Sequence, residues 1–210
     1  MVIETATIAK QAGVKQFIFM SSMIVYNKKE KRITKDTLPN PDNFYGNSKL
    51  QAEIGLQKLD SQDYKIVIIR PPMIYGPHSK GNFPKLMSFA RKSFIFPNFK
   101  NKRSMLYIDN LSNSIKYLID EEAQGTYFPQ NSDYMSTSQI VRDTAKFIGK
   151  KMWFTRIFNP IIYLTRGFVS VVNKMFSDFY YDKEISESIT HSNAISFRES
   201  IEFILNNEEN

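Results

Sequence analysis

The sequence predicts an α/β fold, with buried parallel strands joined by helical crossovers. Two short apolar runs, "KQFIFMSS" (15–22) and "YKIVIIRPPMIYGP" (64–77), read as strands covered on both faces. Stretches of helical periodicity accompany them, "ETATIAKQAG" (4–13) and a segment from Phe44 to about Leu59. The link between the two strands is long enough to cross over, as parallel pairing requires.

The elements follow in order. The first helix ends at Gly13, a residue suited to the left-handed position after a helix C-terminus. The segment 27–43, "NKKEKRITKDTLPNPDN", is a polar loop punctuated by prolines. In the second helix, Leu50 and Ile54 lie on one side and Ala52, Leu56 and Leu59 near another. Pro71 and Pro72 stop the second strand. Beyond residue 77 the pattern loosens. Residues 83–93 read as a helix. Residues 103–122 read as a short strand running into a helix capped near Asp109 or Asn110. Residues 125–130 form a strand, and 136–150 a helix with Ser136 or Thr137 as N-cap and Gly149 near its end. Residues 157–176 read as a pair of core helices and 196–205 as a last helix. The expected division is 1–77 for the sheet domain and 78–210 for a smaller mixed lobe, with some segments returning to the sheet.

Composition narrows the function classes. At 42% hydrophobic and 14% aromatic residues, the 210-residue chain is a packed protein rather than a disordered one. With no cysteine there is neither a disulfide framework nor a thiolate metal site, which fits a reducing cytoplasm. His78 and His191 have no partner pattern, so no metal site is expected. The opening residues lack the pattern of a signal peptide. The longest apolar stretch, 157–176, is interrupted by Asn159, Pro160 and Arg166 and is not a membrane span; a core role is the first reading and a peripheral membrane role the lesser alternative. The net charge is +7, but the densest basic groups, "NKKEKR" (27–32) and "FKNKRS" (99–104), are short and turn-like. They read as solvated loops or contacts to a small phosphate-bearing ligand, not as a nucleic-acid face. The aromatic cluster "DFYYDK" (178–183) reads as core or lobe interface.

In an open α/β sheet, ligands bind beyond the carboxyl ends of the strands. Ser21 and Ser22, the pair Tyr45 and Lys49 in "NFYGNSKLQAE" (43–53), and "RPPMIYGP" fall at such ends. Ser21 reads as packing and Ser22 as functional. A phenol has a pKa of about 10 and is a poor acid–base catalyst near neutrality until a neighbouring ammonium favours its ionised form. Tyr45 and Lys49, four apart on a helix, share a face, so Lys49 can act on Tyr45 directly or through a ribose hydroxyl. A tuned phenol beside a serine hydroxyl suits hydride chemistry at a carbinol or carbonyl carbon.

"FIFMSSMIVY", "YGNSK", "IIRPPMIYGP" and "RSMLYIDNLSNSI", in this order across residues 1 to 150, resemble successive signatures of the extended short-chain dehydrogenase/reductase family, in its nucleotide-sugar epimerase/dehydratase branch. The resemblance implies a Rossmann-like doubly wound parallel sheet, NAD or NADP as cofactor, and a nucleoside-diphosphate sugar as substrate. It implies Ser22, Tyr45 and Lys49 as catalytic residues, with Tyr45, Lys49 and Pro72 on the cofactor and Ser22, Met73 and Arg103 on the substrate. Residues 1–77 then correspond to the C-terminal part of the dinucleotide-binding domain and 78–210 mainly to the substrate lobe.

Two departures qualify this. The glycine-rich turn that cradles a cofactor pyrophosphate is absent, as are the N-terminal strands, so the first strand is expected to present an open edge. Met73 stands where many sugar epimerases carry Asn, which alters the sugar pocket. The back lobe resembles bacterial enzymes that make deoxy-amino sugars for capsule or O-antigen. The expected reaction is hydride transfer at C4, as a 4-ketoreductase or a 4-epimerase. No Asp–Glu pair follows Ser22, which ranks dehydration lower. The alternatives are a non-catalytic fragment or dinucleotide-sensing module of the same fold and, in another class, a basic RNA-binding protein. A homodimer built partly on the helix of Tyr45 is the expected assembly.

Overall fold

The computed structural model describes residues 1–27, 29–79, 81–190 and 194–208. In chain order the elements are α1 (Val2–Gln11), β1 (Gln16–Met20), a 3₁₀ turn at Met23–Val25, β2 (Arg32–Ile33), α2 (Phe44–Gln57), β3 (Lys65–Ile69) and β4 (Met73–Tyr75). There follow α3 (Asn82–Lys92), β5 (Ile95–Pro97), β6 (Met105–Tyr107), α4 (Ile108–Asp120), β7 (Gly125–Tyr127), α5 (Thr137–Phe147) and β8 (Trp153–Thr155). The chain closes with α6 (Asn159–Thr165), α7 (Ser170–Phe176), β9 (Tyr180–Tyr181), α8 (Glu187–Thr190) and α9 (Phe197–Glu208).

A parallel sheet in the order β1-β3-β7 is the base of the fold. Its central strand, "KIVII", is buried on both faces. Ile66 and Ile68 pack with Ala6 of α1 and Leu56 of α2 on one side. Val67 and Ile69 pack with Leu111 and Leu118 of α4 on the other. Strand alternation therefore sends one apolar run into two helix layers. The Gln16 side chain donates to the carbonyls of Leu118 and Ala123, satisfying the C-terminal end of α4. The outer side of β1 pairs with no described strand, the open edge expected from the sequence.

Three further parallel pairs, β4 with β6, β5 with β8 and β2 with β9, belong to the rest of the chain. A second core gathers α3, α5 and α9 around Tyr75, Phe83, Met87, Ile140 and Ile204.

Four readings are corrected. The run 64–77 is two strands, because Pro71 and Pro72 cannot donate to a ladder, so β3 ends at Ile69 and β4 pairs elsewhere. The loop 27–43 contains the short strand β2. Helix α4 starts at Ile108 with Tyr107 as N-cap, not at Asp109 or Asn110. Asn110 is buried instead, donating to Asn131 and to the Ile195 carbonyl. The 157–176 helix pair forms, but only Ile162 and Phe176 enter the core and most of its apolar side chains are exposed. By contrast Ser136 caps α5, accepting from the Gln139 amide, and Tyr181 of the aromatic cluster is core. Among the described residues, no helix is long and apolar enough to cross a membrane and no metal-binding group of three or more His, Asp or Glu occurs. His191 lies outside the described residues.

Candidate active site

A cleft of about 250 Å³ opens beyond the carboxyl ends of β1 and β3. Ser22, Ile24, Pro72, Met73, Asn82 and Arg103 line it, with a further wall from Asn173 and Lys174 of α7 and the segment 177–179. Four residues singled out from sequence, Ser22, Pro72, Met73 and Arg103, thus meet in one place. Tyr45 and Lys49 do not line this cleft; they stand beside it on α2. His78 is outside it, in a left-handed turn at φ 55°.

Ser22 follows β1 and caps the 3₁₀ turn, its Oγ accepting from the Ile24 amide at 3.3 Å. A hydroxyl that accepts from its own turn keeps its proton for donation to another group. The amide of Met23 donates to the Pro71 carbonyl at 2.9 Å, so the serine turn and the double proline are fixed to each other. Ser21 is buried and donates to Glu53, a packing role as its sequence context indicated.

Helix α2 begins at the cap Asn43, whose Oδ1 accepts from the Gly46 amide at 2.9 Å. This places Tyr45 in the first turn, 54% exposed. Gly46, unremarked in the sequence reading, is what lets the helix approach. A Cβ there would lie 2.4 Å from the Ile24 carbonyl oxygen and 2.8 Å from Pro41 Cβ. The turn bearing Tyr45 is therefore pressed against the turn bearing Ser22, and the "YG" pair is the sequence signal that marks it.

Lys49 reaches the end of β1, where its ammonium donates to the Met20 carbonyl at 2.8 Å. The same ammonium lies 4.8 Å from the centre of the Phe19 ring and 5.7 Å from that of Tyr45. One donor is spent on the strand, and two N–H groups remain for a ligand.

Arg103 sits at the far side of the cleft. Its guanidinium donates to the Ser177 carbonyl at 3.1 Å. Burial draws its pKa below the usual arginine value, and the nearby Asp178 carboxylate opposes that shift. Asn82, Asn173 and Lys174 were not visible as site residues in the sequence. Asn82 opens α3, just after the "RPPMIYGP" turn, whereas Asn173 and Lys174 are brought in only by the return of α7 past residue 101.

The residues present fit one end of a nicotinamide dinucleotide. Lys49, with spare donors, stands at a strand end beside the half-exposed phenol of Tyr45, and Pro72 lines the cleft. None of the eight glycines forms a glycine-rich phosphate turn.

Residues 1–128 match the family described as the NAD dependent epimerase/dehydratase family. A UDP-glucose 4-epimerase of Vibrio cholerae is 36% identical over 163 residues, covering 71% of this chain and 49% of that protein. An N-acetyl-α-D-glucosaminyl-diphospho-ditrans,octacis-undecaprenol 4-epimerase of Escherichia coli O157:H7 is 31% identical over 147 residues, covering 67% and 44%. The chain thus spans about half the length of these two relatives. Among solved structures, a UDP-glucuronic acid 4-epimerase from Bacillus cereus in complex with NAD superposes with a TM-score of 0.73 at 18% identity, over 100% of this chain and 67% of that one. A dTDP-4-dehydrorhamnose reductase from Clostridium acetobutylicum gives 0.74 at 16%, over 100% and 71%. These likenesses agree with the Rossmann-like parallel architecture, and the extent of the family match means that the chain belongs to the NAD dependent epimerase/dehydratase family.

Proposed function

We propose that the chain carries the catalytic side of a nicotinamide-dependent enzyme that transfers hydride at C4 of a glycosyl diphosphate, as a 4-epimerase. The observation that carries this reading is the convergence of Ser22, Pro72, Met73 and Arg103 on one cleft, with the turn of Tyr45 held against it by Gly46. Both curated relatives named above are 4-epimerases, which supports epimerisation over a single 4-keto reduction.

A bound NAD or NADP supplies the hydride acceptor and donor. Lys49 would hold the ribose hydroxyls with its remaining N–H donors, its ammonium 5.7 Å from the centre of the Tyr45 ring. Tyr45 takes the proton from the C4 hydroxyl and returns it after the face of the sugar is exchanged. Ser22 donates a hydrogen bond to the same oxygen and keeps its proton, holding that oxygen in line. Met73 offers the sugar an apolar contact, and Arg103 with Lys174 supplies positive charge for the diphosphate.

The second ester on that diphosphate has two candidate sources, a nucleoside or a polyprenol. The nucleoside-diphosphate sugar is the first reading. The polyprenol is favoured by the apolar α6–α7 hairpin that walls the cleft and by the name of the Escherichia coli relative. The product fits cell-surface polysaccharide synthesis on the cytoplasmic side, and exposed Phe44 and Ile54 suit dimerisation through α2.

The experiment is NAD(P)H fluorescence titration followed by 4-epimerase assays on UDP-sugars and on polyprenyl-diphosphate sugars. Tyr45→Phe should lower kcat by about 10²–10⁴-fold with cofactor binding kept. Cofactor binding without any turnover supports the sensing module instead.

A further inference from the structure

We infer that the face formed by the 94–95 strand edge, Trp153 and the α6–α7 hairpin docks on an anionic lipid bilayer. Exposed apolar side chains are concentrated there: Phe94, Trp153, Ile157, Ile161, Leu164 and Phe168, with Trp153 79% and Phe168 91% exposed. The β8 strand of that edge and the hairpin follow each other directly in the chain. Ile95 and Trp153 are register partners in the β5–β8 pair, and the Trp153 amide donates to the Phe94 carbonyl at 2.9 Å. A single residue, Arg156, then leads from β8 to the 157–158 turn at the start of α6.

The hairpin is held, not loose. Ile162 and Phe176 enter the core, and Phe176 meets the rings of Phe96 and Phe99 at 6.3 and 5.4 Å. Asn159 donates to the Asn98 carbonyl at 3.1 Å and Asn101 to the Met175 carbonyl at 3.2 Å. With its inner side fixed, the outer side presents Leu164 and Phe168 permanently. Contiguous exposed apolar surface of this kind marks an interaction site rather than ordinary surface.

Charge selects the partner. Residues 64–108 and 144–177 contain no Asp or Glu, and Lys92, Lys150, Lys151, Arg156, Arg166 and Lys174 fall within them. Two cations are seated on aromatic rings of this face: Lys150 lies 4.7 Å from the Phe94 ring centre and Arg166 4.7 Å from that of Tyr163. Tryptophan and phenylalanine beside lysine and arginine, on segments that carry no carboxylate of their own, is the chemistry of the headgroup–acyl boundary of an anionic membrane. A second copy using the same patch would bring one cationic face against another. RNA would leave Leu164 and Phe168 unexplained.

The surface has a consequence for the cleft. Asn173 and Lys174 line it, and Arg166 and Gly167 line an adjoining recess with Lys29, Lys31, Asp42 and Asp178. The element that meets the bilayer is therefore also a wall of the site, which places the cleft mouth at the membrane surface. The docking does not rest on the catalytic reading and is measured without turnover.

Trp153 is the sole tryptophan, so its emission reports the patch directly. Titration with vesicles of phosphatidylglycerol and phosphatidylcholine should shift that emission to the blue and carry the protein into the vesicle pellet, whereas pure phosphatidylcholine should do neither. The double variant Leu164→Ser/Phe168→Ser, both exposed and so compatible with folding by circular dichroism, should bind anionic vesicles at least about tenfold more weakly. Unchanged emission with the protein left in the supernatant overturns the proposal. So does full binding by the double variant, or a concentration-dependent blue shift without lipid, which assigns the face to a second copy.

Discussion

Glu53 and Arg70 form a buried ion pair, Arg70 Nη2 donating to Glu53 Oε2 at 2.6 Å and Nε to both carboxylate oxygens at 3.1 and 3.2 Å. Their side chains are 1% and 9% exposed. The pair ties together three pieces of the site. Glu53 lies one helical turn beyond Lys49 on α2 and accepts from Ser21, the neighbour of Ser22. Arg70 precedes Pro71 and Pro72, donates to the Tyr26 phenol at 2.7 Å, and offers its carbonyl to Tyr181. A fully bonded pair fixes register between α2, β1 and β3 even where its net stabilisation is small.

Replacing Glu53 by Gln should therefore do more harm than replacing both partners. Glu53→Gln leaves the Arg70 charge buried without its counter-ion, a loss of about 3–5 kcal/mol. The double change Glu53→Leu/Arg70→Met removes the charge and should recover most of that. Chemical denaturation of the three proteins checks it, and equal losses would mean that water reaches Arg70.

Gly46→Ala is the second case. In an open helix this change stabilises by about 1 kcal/mol. Here the new methyl group meets a backbone oxygen at 2.4 Å, and the clash should outweigh propensity by about 1–3 kcal/mol. The helix must move off the 3₁₀ turn, so kcat should fall more than cofactor affinity, because Lys49 sits a turn further on. Stabilisation without loss of turnover would show that the close approach is dispensable.

Legibility in the sequence followed range. The central strand, the helix of Tyr45 and Lys49, and the Ser136 cap were readable because an apolar run, an i,i+4 pair and a capping residue are local signals. Met73 and Arg103 were placed through family likeness and meet in the cleft. Asn173 and Lys174 carry no local signal, since their helix reaches the site by tertiary return. The exposure of α6 and α7 was misread for a related reason: apolar periodicity states that a face avoids water, not which partner covers it. Glu53 had a signal that went unread, a carboxylate at the next i,i+4 position after Tyr45 and Lys49.

Tyr75 sets an alkaline limit. Its buried phenol is pushed up to about 12 by burial, against hydrogen bonds with Ser200 and Asn131 that draw it back. The unfolded value is about 10, so the folded state holds the proton more tightly. The stabilisation is complete below pH of about 10 and is lost as pH rises through about 12. Tyr75→Phe should cost about 1 kcal/mol near neutrality, because Ser200 and Asn131 lose a partner. Its stability should then fall less steeply above pH of about 10 than that of the parent protein, measured by thermal melts. Parallel curves would mean that the phenol ionises in the folded state without penalty.

Arg103 tests where the diphosphate sits. Its backbone amide and carbonyl pair with Met135, so a side-chain change leaves the local fold in place. Its guanidinium lines the cleft, and one N–H is spent on Ser177, which leaves donors for an anion. Arg103→Met should weaken UDP binding about 10–100-fold by calorimetry, the worth of a charge-assisted hydrogen bond. Arg103→Lys should restore only part, because a single ammonium cannot replace a planar fork. Cofactor titration should be unchanged in both, since Lys49 and Pro72 are untouched. If UDP affinity survived Arg103→Met, the adjoining recess, where Lys29, Lys31 and Arg166 outnumber Asp42 and Asp178, would be the alternative seat of the diphosphate.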